Sequence, residues 1–405
     1  MGDGSRARHD IEAAIMLSER LSKERPDEWS IASEAATEHQ WSTAIGYNGV
    51  ADEEERIAED RRRAVQVDEV LLRLRPNDAA TLHRYALNLG YLAAQLGRSD
   101  PKLALTYGQK VLQIEIKLQQ ESQQSPKTRL AGGLAFAYSV LVDLFFKDIH
   151  DYASARSYAE RQLLDGQQAV RLDPRNHMLQ RILAAQYLYL AEVDSKTGRL
   201  SQSLAGLKTG QTVVRALMKA DTQNVPNRGV LADTLSFTGQ VLLLARKPKD
   251  ALGPLDEARA LYETSNVDSN ATASSIQAAI CLVKMGEAAG QMGKPVLAET
   301  YFRRSLVSVE PRVAQSKDRD ALFTAAAAYA GLGNMEARRA QRLTASQESR
   351  RGSWVAAEAW YRKSLAAWKR IDFPNRETPL ALDFGEPAAV AKNLERCESA
   401  LSSIR

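Results

Sequence analysis

The string Leu183-Ala184-x-x-Tyr187-x-x-Leu190-Ala191-Glu192 sets apolar and small residues three and four apart, closes on a polar one, and returns along the chain. Copies read Leu134-Ala135-x-x-Tyr138-x-x-Leu141-Val142-Asp143, Leu231-Ala232-x-x-Leu235-x-x-Thr238-Gly239-Gln240 and Ala325-Ala326-x-x-Tyr329-x-x-Leu332-Gly333-Asn334. Weaker copies are Leu282-x-x-Met285-Gly286-Glu287, Leu89-Gly90-Tyr91 and Ile45-Gly46-Tyr47. The small residue falls at 46, 90, 142, 191, 239, 286 and 333, in steps of 44, 52, 49, 48, 47 and 47. Such spacing predicts a repeat array, in which each unit stacks on its neighbours.

A second string follows each first one, with Ala or Ser four residues before an apolar or small residue: Ala104/Gly108, Ala155/Ala159, Ser203/Leu207, Ala251/Leu255, Ala298/Phe302 and Ala357/Tyr361. In three central copies the interval between the two small residues is twelve, at 191 to 203, 239 to 251 and 286 to 298. Loop signals lie inside it, at Gly198, Arg246-Lys247-Pro248 and Gly293, so the unit is helix, tight turn, helix. Each second helix runs to a breaker: Arg25-Pro26-Asp27, Arg75-Pro76-Asn77, Ser125-Pro126, Asp173-Pro174-Arg175-Asn176, Asp221-Thr222-Gln223-Asn224 or Asp268-Ser269-Asn270. Proline cannot continue a helix, and Asp or Asn can cap the next one.

Composition agrees with helices and narrows the partners. The 405 residues are 44% hydrophobic, 6% aromatic and 26% charged, a mixture of helix formers. Lys and Arg number 54 against 50 Asp and Glu, for a net charge of +4 with both signs interleaved; a nucleic-acid binder usually shows a stronger basic excess. The runs Asp52-Glu53-Glu54-Glu55 and Arg61-Arg62-Arg63 are opposite in sign and fit solvated helix faces. Cys281 and Cys397 stand far apart, which argues against a disulfide framework or zinc site and fits a reducing, cytoplasmic setting. The charged start excludes an ordinary secretory signal. The most apolar stretch, Leu130 to Phe146, is short and carries Asp143, so a buried helix is expected and no membrane insertion.

These strings resemble the tetratricopeptide repeat, whose pattern of aromatic, Leu-Gly, Ala, aromatic and Pro spans 34 residues. The turn interval looks like that family's, while the period is about fourteen residues longer, about two extra turns per helix. The resemblance covers nearly the whole chain. Long-helix arrays of this kind resemble those that follow the kinase domain in some bacterial serine/threonine protein kinases. The stretch Trp354-x-x-Ala357-x-x-Trp360-Tyr361-Arg362-Lys363-Ser364-Leu365-x-x-Trp368, with Leu394-Glu395-Arg396-Cys397-Glu398-Ser399-Ala400-Leu401, looks like the end of such chains.

No catalytic residue, cofactor site or metal site is expected. Asp383-Phe384-Gly385 matches the magnesium-holding tripeptide of kinases, but no glycine-rich loop, strand lysine or catalytic-loop His-Arg-Asp accompanies it. His9, His39, His83, His150 and His177 show no i,i+4 pair. Trp354, Trp360, Tyr361 and Trp368 form an aromatic cluster, and the 361, 365, 368 spacing on one helix face predicts packing against a final cap.

The expected fold is all-α: an α-solenoid of seven stacked antiparallel helix pairs in a right-handed superhelix. Residues 1–29 hold an orphan helix around Ile11 to Leu21, 30–372 the array, and 373–405 a loop and a capping helix from Pro387 to Leu401 with the stripe Val390, Leu394, Cys397, Leu401. In resembling proteins the first helices line a groove, and the residue after each small residue points into it. That row is Tyr47, Tyr91, Asp143, Glu192, Gln240, Glu287 and Asn334. It is expected to be exposed and to take a protein or peptide segment, basic with an aromatic or apolar anchor. The function expected is a non-catalytic adaptor. The alternative is a regulatory region of a kinase, acting on a kinase domain in cis or trans, since Ala7, Ile11 and Ala14 fit a second helix with no first helix before it.

Overall fold

The computed structural model describes residues 51–97, 99–121, 127–264, 271–315, 319–342, 346–371 and 386–403, and before them only positions 13, 16, 20, 24 and 25. The predicted helix around Ile11 to Leu21 therefore lies, but for single positions, outside the described residues, as do Tyr47 and Asp383-Phe384-Gly385. Among the described residues every regular element is a helix, as the repeat predicts.

The chain forms two compact units, residues 1–197 and 198–405. The first holds α1 (Ala51–Leu74), α2 (Ala79–Leu96), α3 (Pro101–Glu121), α4 (Lys127–Asp143), α5 (Tyr152–Leu172) and α6 (His177–Lys196). The second holds α7 (Leu200–Ala220), α8 (Val225–Leu244), α9 (Pro248–Thr264), α10 (Ala271–Gln291), α11 (Pro295–Gln315), α12 (Arg319–Ala340), α13 (Gln347–Lys369) and α14 (Pro387–Ser403). Within each unit consecutive helices pack on one another, and the first helices of adjacent pairs also touch: α2 on α4, α4 on α6, α8 on α10 and α10 on α12. The first helices thus form a row of neighbours, with the second helices behind them.

The two strings found by spacing meet in space. Every small residue of the first string from position 90 onward is buried, and so is every second-string residue from Ala104 to Tyr361. A Cβ placed on Gly286 would stand 2.7 Å from the Phe302 ring, and one on Gly333 2.6 Å from the Tyr361 ring. At Gly239, Gly286 and Gly333 the small residue is a hole that the second helix of the same pair fills, with Leu255, Phe302 and Tyr361, whereas the space at Gly90 is taken by Phe136 of α4. A hydrogen bond repeats with the packing: seven residues after the second-string small residue, Gln162, Ser305 and Ser364 donate to the carbonyls of Ala135, Ala279 and Ala326, at 2.7, 3.0 and 2.8 Å. Asn176 and Asn224, from the predicted breakers, accept the backbone N–H groups of Leu179 and Asn227, capping α6 and α8.

Turn geometry explains the intervals. Seven residues after the small residue the chain enters the left-handed region, at Gly198 (φ +76), Arg246 (φ +58) and Gly293 (φ +70). Between α4 and α5 the interval is thirteen, from Val142 to Ala155. The extra residue is absorbed by a π-helical turn at Leu144–Asp148, and the left-handed residue becomes His150 (φ +60). Arg246 is exposed there, so its Cβ strain has no packing to offset it. Arg246→Gly is expected to raise stability by up to about 1 kcal/mol, the left-handed penalty less glycine's extra chain entropy. Gly293→Ala should lower it by about as much, and urea melts of the pair of variants check both signs.

The chain closes on α14, where Val390 and Cys397 are fully buried and Leu394 and Leu401 pack beside them against Trp354 and Tyr361. Trp360 and Trp368 depart from the expected packing against the cap. Trp368 meets Phe323 edge-on at 5.1 Å and Trp360 stacks on Tyr329 at 5.8 Å, because α13 is flanked by α12 as well as by α14. No helix among the described residues is long and apolar enough to cross a membrane; Leu130 to Phe146 falls in α4 and the π-turn.

Candidate functional site

The residue after each small residue lies beside the buried hole, so its side chain emerges along the first-helix row. In the first unit Tyr91, Asp143 and Glu192 occupy this position on α2, α4 and α6. Tyr91 is 43% exposed. Its ring meets Phe136 of α4 at 5.1 Å, and the Arg61 guanidinium lies 5.0 Å from its centre. Asp143 is half-buried and its Oδ1 stands 2.8 Å from Lys147 Nζ one turn on, so part of the expected acidic character is already matched. Glu192 is half-buried on α6.

In the second unit two of the three equivalent positions, Gln240 and Asn334, serve packing. Gln240 is only 2% exposed, against the expectation of a solvent-facing residue, and its Oε1 is buried without a hydrogen-bond donor. Asn334 carries a packing role: its Oδ1 accepts from the Tyr361 hydroxyl at 2.7 Å and from Asn393 Nδ2 at 3.3 Å, tying α12 to α13 and α14. Glu287 is half-buried and accepts from Gln291 at 3.0 Å. At Asn334 the reason is the later elements, α13 and α14, that reach over it.

Sequence reasoning missed a polar cluster in that unit. The buried Tyr262 hydroxyl of α9 donates to Asp233 Oδ1 of α8. Ser236, one turn along α8, lies 3.3 Å from Lys284 Nζ and 3.6 Å from Cys281 Sγ, both buried on α10. Desolvation by the surrounding protein pushes the Asp233 carboxyl up against the pull of the Tyr262 bond and Lys284, although the side chain still reaches solvent. Burial raises Tyr262 well above the usual phenol value and raises the Cys281 thiol. A thiol raised in this way is a poor nucleophile, and the cluster reads as a hydrogen-bonded joint between α8, α9 and α10. Lys284 was its sequence signal, the one cation in the run from Ile280 to Met285.

Comparison with known proteins adds similarity without a family. No protein-family model matches the sequence, and no curated protein matches it. Among solved structures the apo form of RapI is similar, with 14% sequence identity and a TM-score of 0.49 over 92% of this chain and 87% of that one. Aspartyl phosphate phosphatase F from Bacillus subtilis is 11% identical, with a TM-score of 0.49 over 98% and 95%. A Rap protein complexed with competence and sporulation factor is 14% identical, with a TM-score of 0.41 over 98% and 100%.

Proposed function

We propose that this chain is a non-catalytic interaction scaffold that holds a polypeptide segment along the first-helix row of its first unit. The observation that carries this reading is the placement of Tyr91, Asp143 and Glu192 at one equivalent position on three first helices that touch in succession. Packing behind them is done by buried neighbours, Gly90, Val142 and Ala191. The row therefore offers an aromatic anchor at α2 and carboxylates at α4 and α6 to a segment laid across the helices. A long open face suits a polypeptide better than a small substrate. The segment it fits is basic with an apolar or aromatic anchor.

An array of basic peptides, followed by titration of the strongest binder, tests this. Tyr91→Ala is expected to weaken that binder about tenfold, as loss of a central aromatic anchor does. Asp143→Lys with Glu192→Lys should weaken it further and flatten its salt dependence. The fold should survive, since the Asp143–Lys147 pair is half-exposed and such pairs contribute little. Unchanged binding in both variants would sink the assignment of the row, and turnover of a phosphoester or nucleotide by the purified chain would sink the non-catalytic reading.

A further inference from the structure

Positive charge is concentrated in one part of the second unit. Residues 295–371 hold fourteen Lys and Arg against seven Asp and Glu, a surplus of seven where the whole chain has a surplus of four. Four of the seven carboxylates there are engaged. Glu299 takes Arg303 and Arg339, Glu336 takes Arg339, Glu358 takes Arg362, and Glu310 accepts from the Tyr329 hydroxyl. Arg304, Arg351, Lys363 and Lys369 are all exposed and make no ion pair among the described residues. On α11 and α13 themselves eight Lys and Arg stand against four Asp and Glu, so a surplus of four lies on these two second helices.

Two further features shape that surface. Lys363 Nζ and Arg303 Cζ lie 4.7 and 5.7 Å from the centre of the same Trp360 ring, and the ring in turn stacks on Tyr329. Arg303 is already matched by Glu299, so the charge this ring holds open to an incoming anion is that of Lys363. On the same two helices Val296 and Val307 of α11 and Val355 of α13 are 74%, 76% and 51% exposed. Val296, Arg303 and Val307 recur at seven and four residues on α11, one outward face.

We propose that α11 and α13 form a second docking face, for an acidic amphipathic polypeptide segment. Cations there meet its carboxylates while the exposed valines meet its apolar side chains, and charge complementarity sets selectivity and on-rate. A nucleic acid would satisfy the cations through its phosphates and leave the valines bare, which is why a polypeptide fits better. This face is separate from the row of the first unit and does not depend on it.

The test uses the full chain and a labelled synthetic helical peptide with glutamate on one face and leucine on the other, read by fluorescence anisotropy. Binding is expected, and should weaken about tenfold between low and physiological salt. Arg304→Glu with Lys363→Glu should weaken it about tenfold or more, and Val296→Ser with Val307→Ser about threefold. Arg304→Lys with Lys363→Arg should retain it, as should the Asp143→Lys and Glu192→Lys pair. Should charge reversal perturb the fold in a melting control, Arg304→Gln with Lys363→Gln replaces it, with the same expected loss. Equal binding of the matching lysine peptide to the chain carrying Asp143→Lys and Glu192→Lys, where the first-unit row no longer favours it, insensitivity to the Arg304 and Lys363 changes, or stronger binding of duplex DNA that displaces the acidic peptide would each overturn the proposal.

Discussion

Truncating Phe302 to alanine is expected to lower the stability of the second unit by about 3–5 kcal/mol, the usual result of emptying a large buried aromatic site. Phe302 is 1% exposed and belongs to the core shared by α10, α11, α12 and α13. Its ring fills the space over Gly286 and also contacts Gly331 of α12. The hole has a complementary test. Gly286→Ala alone places a methyl 2.7 Å from the ring, and such overpacking costs about 1–3 kcal/mol. In a Phe302→Leu background the same alanine gains room and should cost less, so the double-mutant cycle should show a favourable coupling. Fluorescence of Trp354, Trp360 and Trp368, which all lie in this unit, follows its unfolding in denaturant. A loss under about 1 kcal/mol for Phe302→Ala, well below the usual range for such truncations, or strict additivity in the cycle, would mean that the repeat signature is not a packing signature.

That pairing also shows why so much of the fold was legible. A small residue that must face a large one cannot drift in sequence without a steric penalty, so the two strings keep their spacing, and spacing is what a single sequence displays. Caps and turns were legible for the same reason: Asn176 and Asn224 must present a side-chain acceptor, and Gly198 and Gly293 must reach a left-handed backbone. His150 was not legible. Its left-handed position depends on the π-turn before it, and that extra residue leaves only a thirteen-residue interval as its trace. The serines and glutamine that bond back to Ala135, Ala279 and Ala326 were hidden too, because Gln162, Ser305 and Ser364 share a role without sharing a residue type.

The proposed row was legible as a set of equivalent positions but not as an exposed surface. Equivalent position in a repeat fixes direction from the helix axis, whereas exposure depends on which later element lies above it. Tyr91 remains open, while Gln240 is buried and Asn334 is held by Tyr361 and Asn393. Asn393 comes from α14, fifty-nine residues away in sequence, and no local pattern announces such a contact. The cluster of Asp233, Ser236, Tyr262, Cys281 and Lys284 escaped for a related reason. Its members come from three helices, and only Lys284 stands out against its neighbours.

A buried ion pair between α1 and α2 gives the other large expected effect. Asp68 is fully buried, and its Oδ1 lies 2.8 Å from Arg84 Nε and 2.6 Å from Arg84 Nη2, while Oδ2 accepts from Asn88 Nδ2 at 2.9 Å. Asp68→Ala leaves a largely buried guanidinium and an amide without their acceptor, and should cost about 3–5 kcal/mol. Arg84→Met should cost a similar amount at neutral pH but behave differently on acidification. Burial already pushes the Asp68 carboxyl up against the pull of Arg84, and removing the arginine removes that pull. With the folded value further above the unfolded one, the unfolded chain gives up its proton first, so stability falls as pH rises between the two values and returns as pH drops. Arg84→Met should therefore regain stability in mild acid relative to the native chain, whereas Asp68→Ala, which has no carboxyl left to titrate, should lack that regain. The double change Asp68→Leu with Arg84→Met removes both charges and should cost less than either single change, since apolar replacement of a whole buried pair is often neutral or stabilising. Single costs that simply add in the double variant would show that the two groups do not act as a pair.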